Sequence, residues 1–577
     1  MMRSMARQAL GLDTGRYAYS LPCGGGKTQG AIALIVAAWE LGLNLSFAVA
    51  TSQVEALCEF KQQLLEHHGV PESAIGLWHS LQVDPDKAKT ETGYASLPAT
   101  PENEGRPILL LSHQRIKGGN VEAFNGKPRS LLIWDESLIA TQAKAVPLRD
   151  IRVALGAARE YAPVLVPLLE KVARVATAEL TALQGDPWRR PRVLHEVLAP
   201  DELEGLRTAL GSSRGNSRFE QAMRVIVATL LRLLELPVSV AETGSGAAGD
   251  GVLRYEVLVP TKLENIAILD ASHSIRLLTQ ADRSIVDRTT REMQEYRQYH
   301  NVTVRIRKMH ASKGEMTESD AGSMPHAREI AQYLEGVPAD ECVLIFTFKD
   351  ALSKLRKNLE KLGVDLSQST TVDGARRPRV QFLTWGHEAG RNDMRHCQHV
   401  IMAGVLRRNP LDLAASLTAQ QQEAQPRRNS HATLADVSLS EVAHCVLQAT
   451  HRGACRMSDE DGEAKRTSVL ILASGLGGLP AILSEAMPGV QWIKDNPAPR
   501  KRANSRTSGA TAKIVQYLTG PDAPTEKVSV AALHKLPGTD LCKSVFSDAL
   551  DIALVECRVH HRSPWRRVGR SLVRDTT

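Results

Sequence analysis

Eight residues near the N-terminus, Leu21-Pro22-Cys23-Gly24-Gly25-Gly26-Lys27-Thr28, narrow the possible folds more than any other part of this chain. Three successive glycines let a backbone turn tightly and aim its N–H groups inward at phosphate oxygens. The alanine-rich segment from Ala31 to Trp39 reads as a helix, and the start of a helix adds a positive dipole end. Lys27 is spaced to reach the β- and γ-phosphates of a nucleotide, and the Thr28 hydroxyl to bind magnesium. The backbone from Cys23 to Gly26 would cradle the phosphates. Leu21 departs from the usual pattern, which has glycine there. The alternative is an ordinary glycine-rich turn before a helix.

A phosphate loop of this kind sits between a strand and a helix, so the neighbouring pattern should alternate. It does: Leu45 to Ala50, Ile108 to Leu111 and Leu131 to Trp134 are short apolar runs, with helical spacing between them, as in Val54 to His67. That alternation predicts a parallel sheet covered by helices over residues 1–140. Residues 141–240 read as a helical insertion, through Pro163 to Leu183 and Arg218 to Leu236. Residues 241–290 return to the first lobe, with strand-like Val252 to Val259 and Ile266 to Leu269. A second alternating block fills 291–494, its strands at Val343 to Phe348, Val380 to Leu383, Val400 to Met402 and Ser468 to Leu472. A polar, basic linker at 495–509 leads to a small domain at 510–577. No internal repeat of fixed period is visible.

The second chemical anchor is Leu131-Leu132-Ile133-Trp134-Asp135-Glu136-Ser137-Leu138. An apolar strand here delivers two acids at its carboxyl end, the edge that faces ligand in an open α/β sheet. Asp135 would hold magnesium, and Glu136 would orient and activate an attacking water. Two acids after a strand could otherwise cap the next helix.

Taken together, these segments resemble the superfamily 2 helicases in the loose DEAD/DEAH-like sense, although the acid box reads Asp-Glu-Ser-Leu. Ala48-Val49-Ala50-Thr51-Ser52-Gln53 is similar to the first nucleic-acid contact motif, and Leu111-Ser112-His113-Gln114-Arg115 precedes the acid box. Leu269-Asp270-Ala271-Ser272 resembles the coupling motif that commonly reads Ser-Ala-Thr. Leu344 to Lys349, with Thr347, resembles motif IV. Thr384 to Asp393, with Gly390 and Asn392, resembles motif V. Gln448-Ala449-Thr450-His451-Arg452-Gly453-Ala454-Cys455-Arg456 resembles motif VI, with His451 in place of glycine and the second arginine one position late. The resemblance implies two RecA-like lobes with ATP and magnesium between them. Catalytic roles fall to Glu136, Gln448, Arg452 and Arg456, the nearer arginine favoured for the γ-phosphate. Nucleic-acid contacts fall to Thr51, His113, Thr347 and Thr384, and coupling to Asp270, Ser272, Gly390 and Asn392. Arg7-Gln8 stands where a glutamine often recognises adenine in this superfamily.

Charge and cysteine usage complete the expectation. The chain carries a net charge of +7, and residues 497–577 alone hold 14 Lys and Arg against 7 Asp and Glu, so the whole basic excess lies there. Helix-like Val528 to Leu536 and Leu541 to Cys557, then Trp565 to Arg574, suit a winged helix whose Arg566, Arg567 and Arg570 touch phosphates. A small helical or protein-binding module is the alternative. An iron–sulfur cluster in the insertion is excluded on residue count, because no cysteine lies between Cys58 and Cys342 and four thiolates are usually required. No Cys-x-x-Cys pair suggests structural zinc. Met1 to Leu10 lacks a signal-peptide core and no apolar run could span a bilayer, so a soluble cytoplasmic protein is expected. The expected function is an ATP-dependent helicase or translocase, with DNA favoured over RNA and a possible protein partner at the insertion. A nucleic-acid-binding scaffold with a decayed ATP site and a packaging-type ATPase are the alternatives.

Overall fold

The computed structural model describes residues 1–79, 99–100, 103–116, 121, 123–139, 141–185, 198–212, 218–234, 239–241, 250–257, 259, 263–372, 374–386, 393–421, 431–493, 506–520, 523–524, 526–536, 546, 550, 553–554, 557, 565–568 and 571–574. The chain forms two compact units, Met1–Lys494 and Asp495–Thr577. No helix among the described residues is long and apolar enough to cross a membrane.

The larger unit holds two parallel sheets. The first has seven strands in the order Ile285–Asp287, Arg16–Ala18, Ile266–Leu269, Leu131–Asp135, Phe47–Thr51, Ile108–Ser112, Ile75–Trp78. All its pairings are parallel. A parallel sheet covered on both faces needs near-continuous apolar strands, as in the fully buried Ile-Leu-Leu-Leu-Ser of Ile108–Ser112. Separate apolar clusters lie against its two faces. The second sheet has six parallel strands in the order Val380–Thr384, Val343–Thr347, His399–Ala403, Thr467–Leu472, Val302–Arg307, Gln491–Ile493. The fold is therefore α/β with two lobes built on parallel sheets.

The segment expected to be a helical insertion is more than helical. Its helices, Leu148–Tyr161, Val166–Gly185, Pro200–Ser212 and Arg218–Leu234, pack on a three-stranded antiparallel sheet of Thr141–Pro147, Gly251–Val257 and Ser239–Ala241. Val146, Val240 and Val252 share one core with the helices. The strand expected at 252–259 as part of the first lobe thus belongs to the insertion, and the chain rejoins the lobe sheet at Ile266–Leu269. The insertion also touches the second lobe. Thr141 Oγ1 donates to Gln420 Oε1 at 3.3 Å, and Ala145 packs on Leu411 and Ala415 of the Pro410–Gln421 helix.

The small unit runs helix Arg506–Thr519, strand Lys527–Ser529, helix Val530–Leu533, then strands Trp565–Val568 and Ser571–Arg574. Lys527–Ser529 is a strand, so the helix expected from Val528 begins two residues later. Ser571–Arg574 lies central in an antiparallel sheet between the other two strands. Phe546, Leu550, Ala553 and Cys557 are helical, lie on one helical face by their spacing, and are buried with Trp565 and Leu572. Trp565 Nε1 donates to the Leu518 carbonyl at 3.3 Å. Among the described residues, the small unit thus runs helix, strand, two helical segments and a strand pair.

Candidate functional site

The parallel register of the first sheet brings three sequence segments to one carboxyl edge. Ala18 pairs with Ile268, and Leu269 with Asp135. The residues that follow these three strands therefore emerge side by side: the glycine loop, Asp270 and the Asp135-Glu136 pair.

The loop turns through two left-handed glycines, Gly24 (φ 78°) and Gly26 (φ 71°), and Gly26 opens the Lys27–Glu40 helix without a side-chain cap. Free N–H groups at such a start suit an anion. Lys27 Nζ donates to the carbonyls of Leu21 (2.7 Å) and Pro22 (3.1 Å), inside the loop. Burial lowers the Lys27 pKa, and nearby Cys23, Asp135 and Asp270 oppose that. Leu21 needs no glycine, because its backbone is not left-handed. Its side chain packs on the lobe core while its carbonyl receives the lysine.

Glu136 has φ 75°, and among described non-glycine residues only Asn125, at 51°, also has a positive φ. A side-chain residue held there is strained. Its carboxylate accepts from Ser52 Oγ at 2.8 Å, and its N–H donates to the Leu269 carbonyl at 3.2 Å. Burial, then the charge of Asp135, pushes the Glu136 pKa up to about 7, against the pull of Ser52 and Arg452. Burial also raises Asp135, with Lys27 and Arg456 opposing. Asp270 is buried and acts as an acceptor: Oδ1 takes the Ser272 N–H (2.8 Å) and hydroxyl (2.6 Å), and Oδ2 takes the Ser137 hydroxyl (2.6 Å). The departure to aspartate at this position thus gives one side chain that holds both its own turn and the acid box.

The second lobe completes the cleft. Its His431–Thr450 helix carries Gln448 near its end, and a turn beyond it presents Arg452 and Arg456. Arg452 Nη2 reaches Gln448 Oε1 at 3.4 Å. A cleft of about 360 Å³ is lined by the loop from Cys23 to Thr28, by Asp135, Glu136 and Asp270, and by Arg395, Gln448, Arg452 and Arg456. That volume lies within the usual small-ligand range of roughly 300–1,000 Å³.

Three residues without any motif also act here. Arg297, buried, donates through Nη1 to the carbonyls of Cys23 and Arg456, tying the loop to the second lobe. The Tyr296 hydroxyl lies over Gly25, where a Cβ would come within 2.3 Å of it. Arg395 lines the cleft from just after the motif V segment. Only Arg395 had a usable signal, an arginine close to a recognised segment.

Other expected residues lie elsewhere. Thr51 and Thr347 end their strands buried, at 4% and 0% exposure, so neither hydroxyl is offered to a passing strand. Thr51 Oγ1 instead donates to the Gln53 carbonyl at 2.7 Å. His113 stacks on Trp134 at 4.0 Å between ring centres, and burial lowers its pKa to about 4. Thr384 ends its strand half-buried. Gln8 is fully buried, donates to the Gly15 carbonyl and Asn265 Oδ1, and does not line the cleft. Gly390, Asn392 and Arg570, and the side chains of Arg566 and Arg567, lie outside the described residues.

Gly24 offers a test of the loop's apposition to the second lobe. A Cβ at Gly24 would fall 2.4 Å from the Arg456 carbonyl oxygen, whereas one at Gly26 meets nothing within 4 Å. Both substitutions incur the left-handed penalty of about 1–2 kcal/mol. Gly24→Ala should therefore lower the urea midpoint clearly more than Gly26→Ala. Equal midpoints would refute the contact.

No family model matches the chain, and no curated protein matches it. Among solved structures, S. cerevisiae Dbp5 bound to RNA and ADP BeF3 is similar at 8% identity and a TM-score of 0.36, over 83% of this chain and 85% of that one. A DEAD box protein from the hyperthermophile Methanococcus jannaschii is similar at 10% identity and a TM-score of 0.26, over 85% and 91%. Mss116p, with its NTE and C-tail deleted and bound to ssRNA and AMP-PNP, is similar at 10% identity and a TM-score of 0.31, over 95% and 79%. Likeness this low adds nothing to what the two sheets and the cleft establish by themselves.

Proposed function

We propose that this chain is a nucleic-acid-dependent ATPase of the helicase or translocase type. One observation carries the reading: the glycine loop with Lys27, the Asp135-Glu136 pair, and Gln448, Arg452 and Arg456 from the other lobe line a single cleft. A scaffold with a decayed site has no reason to keep all of these together.

The residues fit a magnesium nucleotide. Thr28 is exposed at the helix start and Asp135 ends its strand in the same cleft, an oxygen pair suited to a hard divalent cation. Magnesium held there would neutralise phosphate charge. Loop N–H groups would bind the phosphates, and the Lys27 ammonium would exchange its loop carbonyls for them. Glu136, oriented by Ser52, would take the proton of the attacking water. Arg452 and Arg456 would stabilise charge on the transferring group. Since these arginines stand on the second lobe, turnover is linked to lobe closure.

For the nucleic acid, the basic excess at 497–577 and the helix and strand order of the small unit support DNA as the favoured partner. Magnesium use, a protein partner at the insertion and a cytoplasmic location belong to the same proposal. The test is ATP hydrolysis by the purified full chain alone, with single-stranded DNA and with RNA. The expected result is turnover stimulated most by DNA and lost in Lys27→Ala. Greater stimulation by RNA would overturn the DNA preference. No turnover with either polymer by a folded protein would overturn the motor.

A further inference from the structure

Two polar connections run from the acid-box side of the first lobe to the His431–Thr450 helix of the second. In the first, Ser137 donates to Asp270, Ser272 donates to Asp270, and Ser272 Oγ meets His444 Nδ1 at 2.7 Å. Because Ser272 gives its own proton to Asp270, the bond to His444 has Nδ1–H donating. In the second, Arg276 grips both carboxylate oxygens of Glu441, at 2.6 and 2.7 Å, with both side chains under 10% exposed. Arg408 adds a bond to Glu441 at 3.3 Å and another to Ser416 at 2.9 Å.

Glu441, His444 and Gln448 are three and four residues apart, so they form one stripe on one helix. Gln448 at the end of that stripe lines the cleft, while Glu441 holds Arg276 and His444 meets Ser272. Asp270 in turn fixes Ser137, the neighbour of Glu136 and its strained backbone. Separating the lobes breaks both connections at once.

We propose that Glu441 and His444 are positioning residues for hydrolysis, which hold the acid box in working geometry only while the lobes are together. The inference rests on the ATPase reading above. It assigns to the helix a second task besides presenting Gln448.

The test is steady-state ATPase kinetics on the full chain with nucleic acid. His444→Leu removes the donor to Ser272, and His444→Asn restores an N–H near Nδ1. Arg276→Met with Glu441→Met replaces the buried pair by apolar side chains, an exchange that cores often tolerate. We expect kcat to fall about tenfold or more in His444→Leu and in the double variant, with KM for ATP within about twofold. His444→Asn should recover most of kcat. A merely structural role would lower the melting temperature without this kcat-only signature or the rescue. Wild-type kcat in the folded double variant, or an Asn variant as slow as the Leu variant, would overturn the inference while leaving an active wild type. An inactive wild type would instead overturn the ATPase reading, and this inference with it.

Discussion

Removing Arg452 and Arg456 together should cut ATP turnover by about 10³–10⁵-fold, the range measured for arginines that meet a transferring phosphoryl group. The single variants should separate. Arg456 acts electrostatically on Lys27 and Asp135, the residues that would hold the ground-state phosphates and cation. Arg456→Ala should therefore raise KM as well as lower kcat. Arg452 acts on Glu136 and is 4% exposed. Arg452→Ala should lower kcat with KM nearly unchanged, the pattern of an interaction made mainly in the transition state. Steady-state rates for the three variants decide it. Retention of most of the wild-type rate in the double variant would remove both arginines from the chemistry.

Acid should weaken the larger unit from about pH 6.5 downward, through its buried histidines. His451 is buried, with Nδ1 against the Leu447 carbonyl at 2.8 Å and Nε2 against the Tyr299 hydroxyl at 3.0 Å. Burial lowers its pKa to about 3, and lowers that of His444 to about 4. An unfolded histidine binds its proton near pH 6.5. As pH falls below that value the unfolded state gains protons that the folded state refuses, so stability present above about pH 6.5 is lost on the way to about pH 4 for His444 and about pH 3 for His451. Each unit of depression corresponds to about 1.4 kcal/mol, and the raised Glu136 carboxyl, which takes up a proton in the folded state below about pH 7, offsets part of that loss. Glu441 contributes only lower down. Although burial opposes it, Arg276 holds its pKa at about 2, so its stabilisation fades from about pH 4.5 downward. Urea midpoints should drop between about pH 7 and about pH 5, and His451→Gln should flatten that drop. Identical wild-type midpoints at the two values would count against the linkage.

Much of the architecture was legible because a doubly covered parallel sheet writes itself as short apolar runs. Phe47–Thr51, Ile108–Ser112, Leu131–Asp135 and Ile266–Leu269 lie within a residue or two of the runs that predicted them. Two of the edge strands were not legible: Ile285–Asp287 and Gln491–Ile493 have half-buried or exposed faces and no apolar run. Thr141–Pro147 escaped because its Thr-Gln-Ala-Lys-Ala-Val-Pro has no aromatic residue and only Thr141 and Val146 as β-branched ones, too few to mark a strand.

The cleft divides in the same way. Residues at strand ends, such as Asp135 and Glu136, are found by local pattern, since the strand dictates where they emerge. Arg297, Glu441 and His444 come to the site only through tertiary packing. Three departures from the motif patterns that the sequence resembles gain physical reasons from their surroundings. Leu21 needs no left-handed backbone, Asp270 serves as a multiple acceptor, and His451 bridges its helix to Tyr299. Gln8 shows the opposite failure: a suggestive position, but a side chain used to fasten the Met2–Ala9 helix beside the first sheet.

The left-handed backbone at Glu136 sets the interests of folding and of chemistry against each other at one position. Glycine or asparagine fits that conformation more comfortably than glutamate does, and neither could take a proton from water. Selection for durability alone would erode this site first. A screen of this protein for thermal tolerance, run without an activity filter, would therefore tend to deliver hardy molecules that had lost the Glu136 carboxylate.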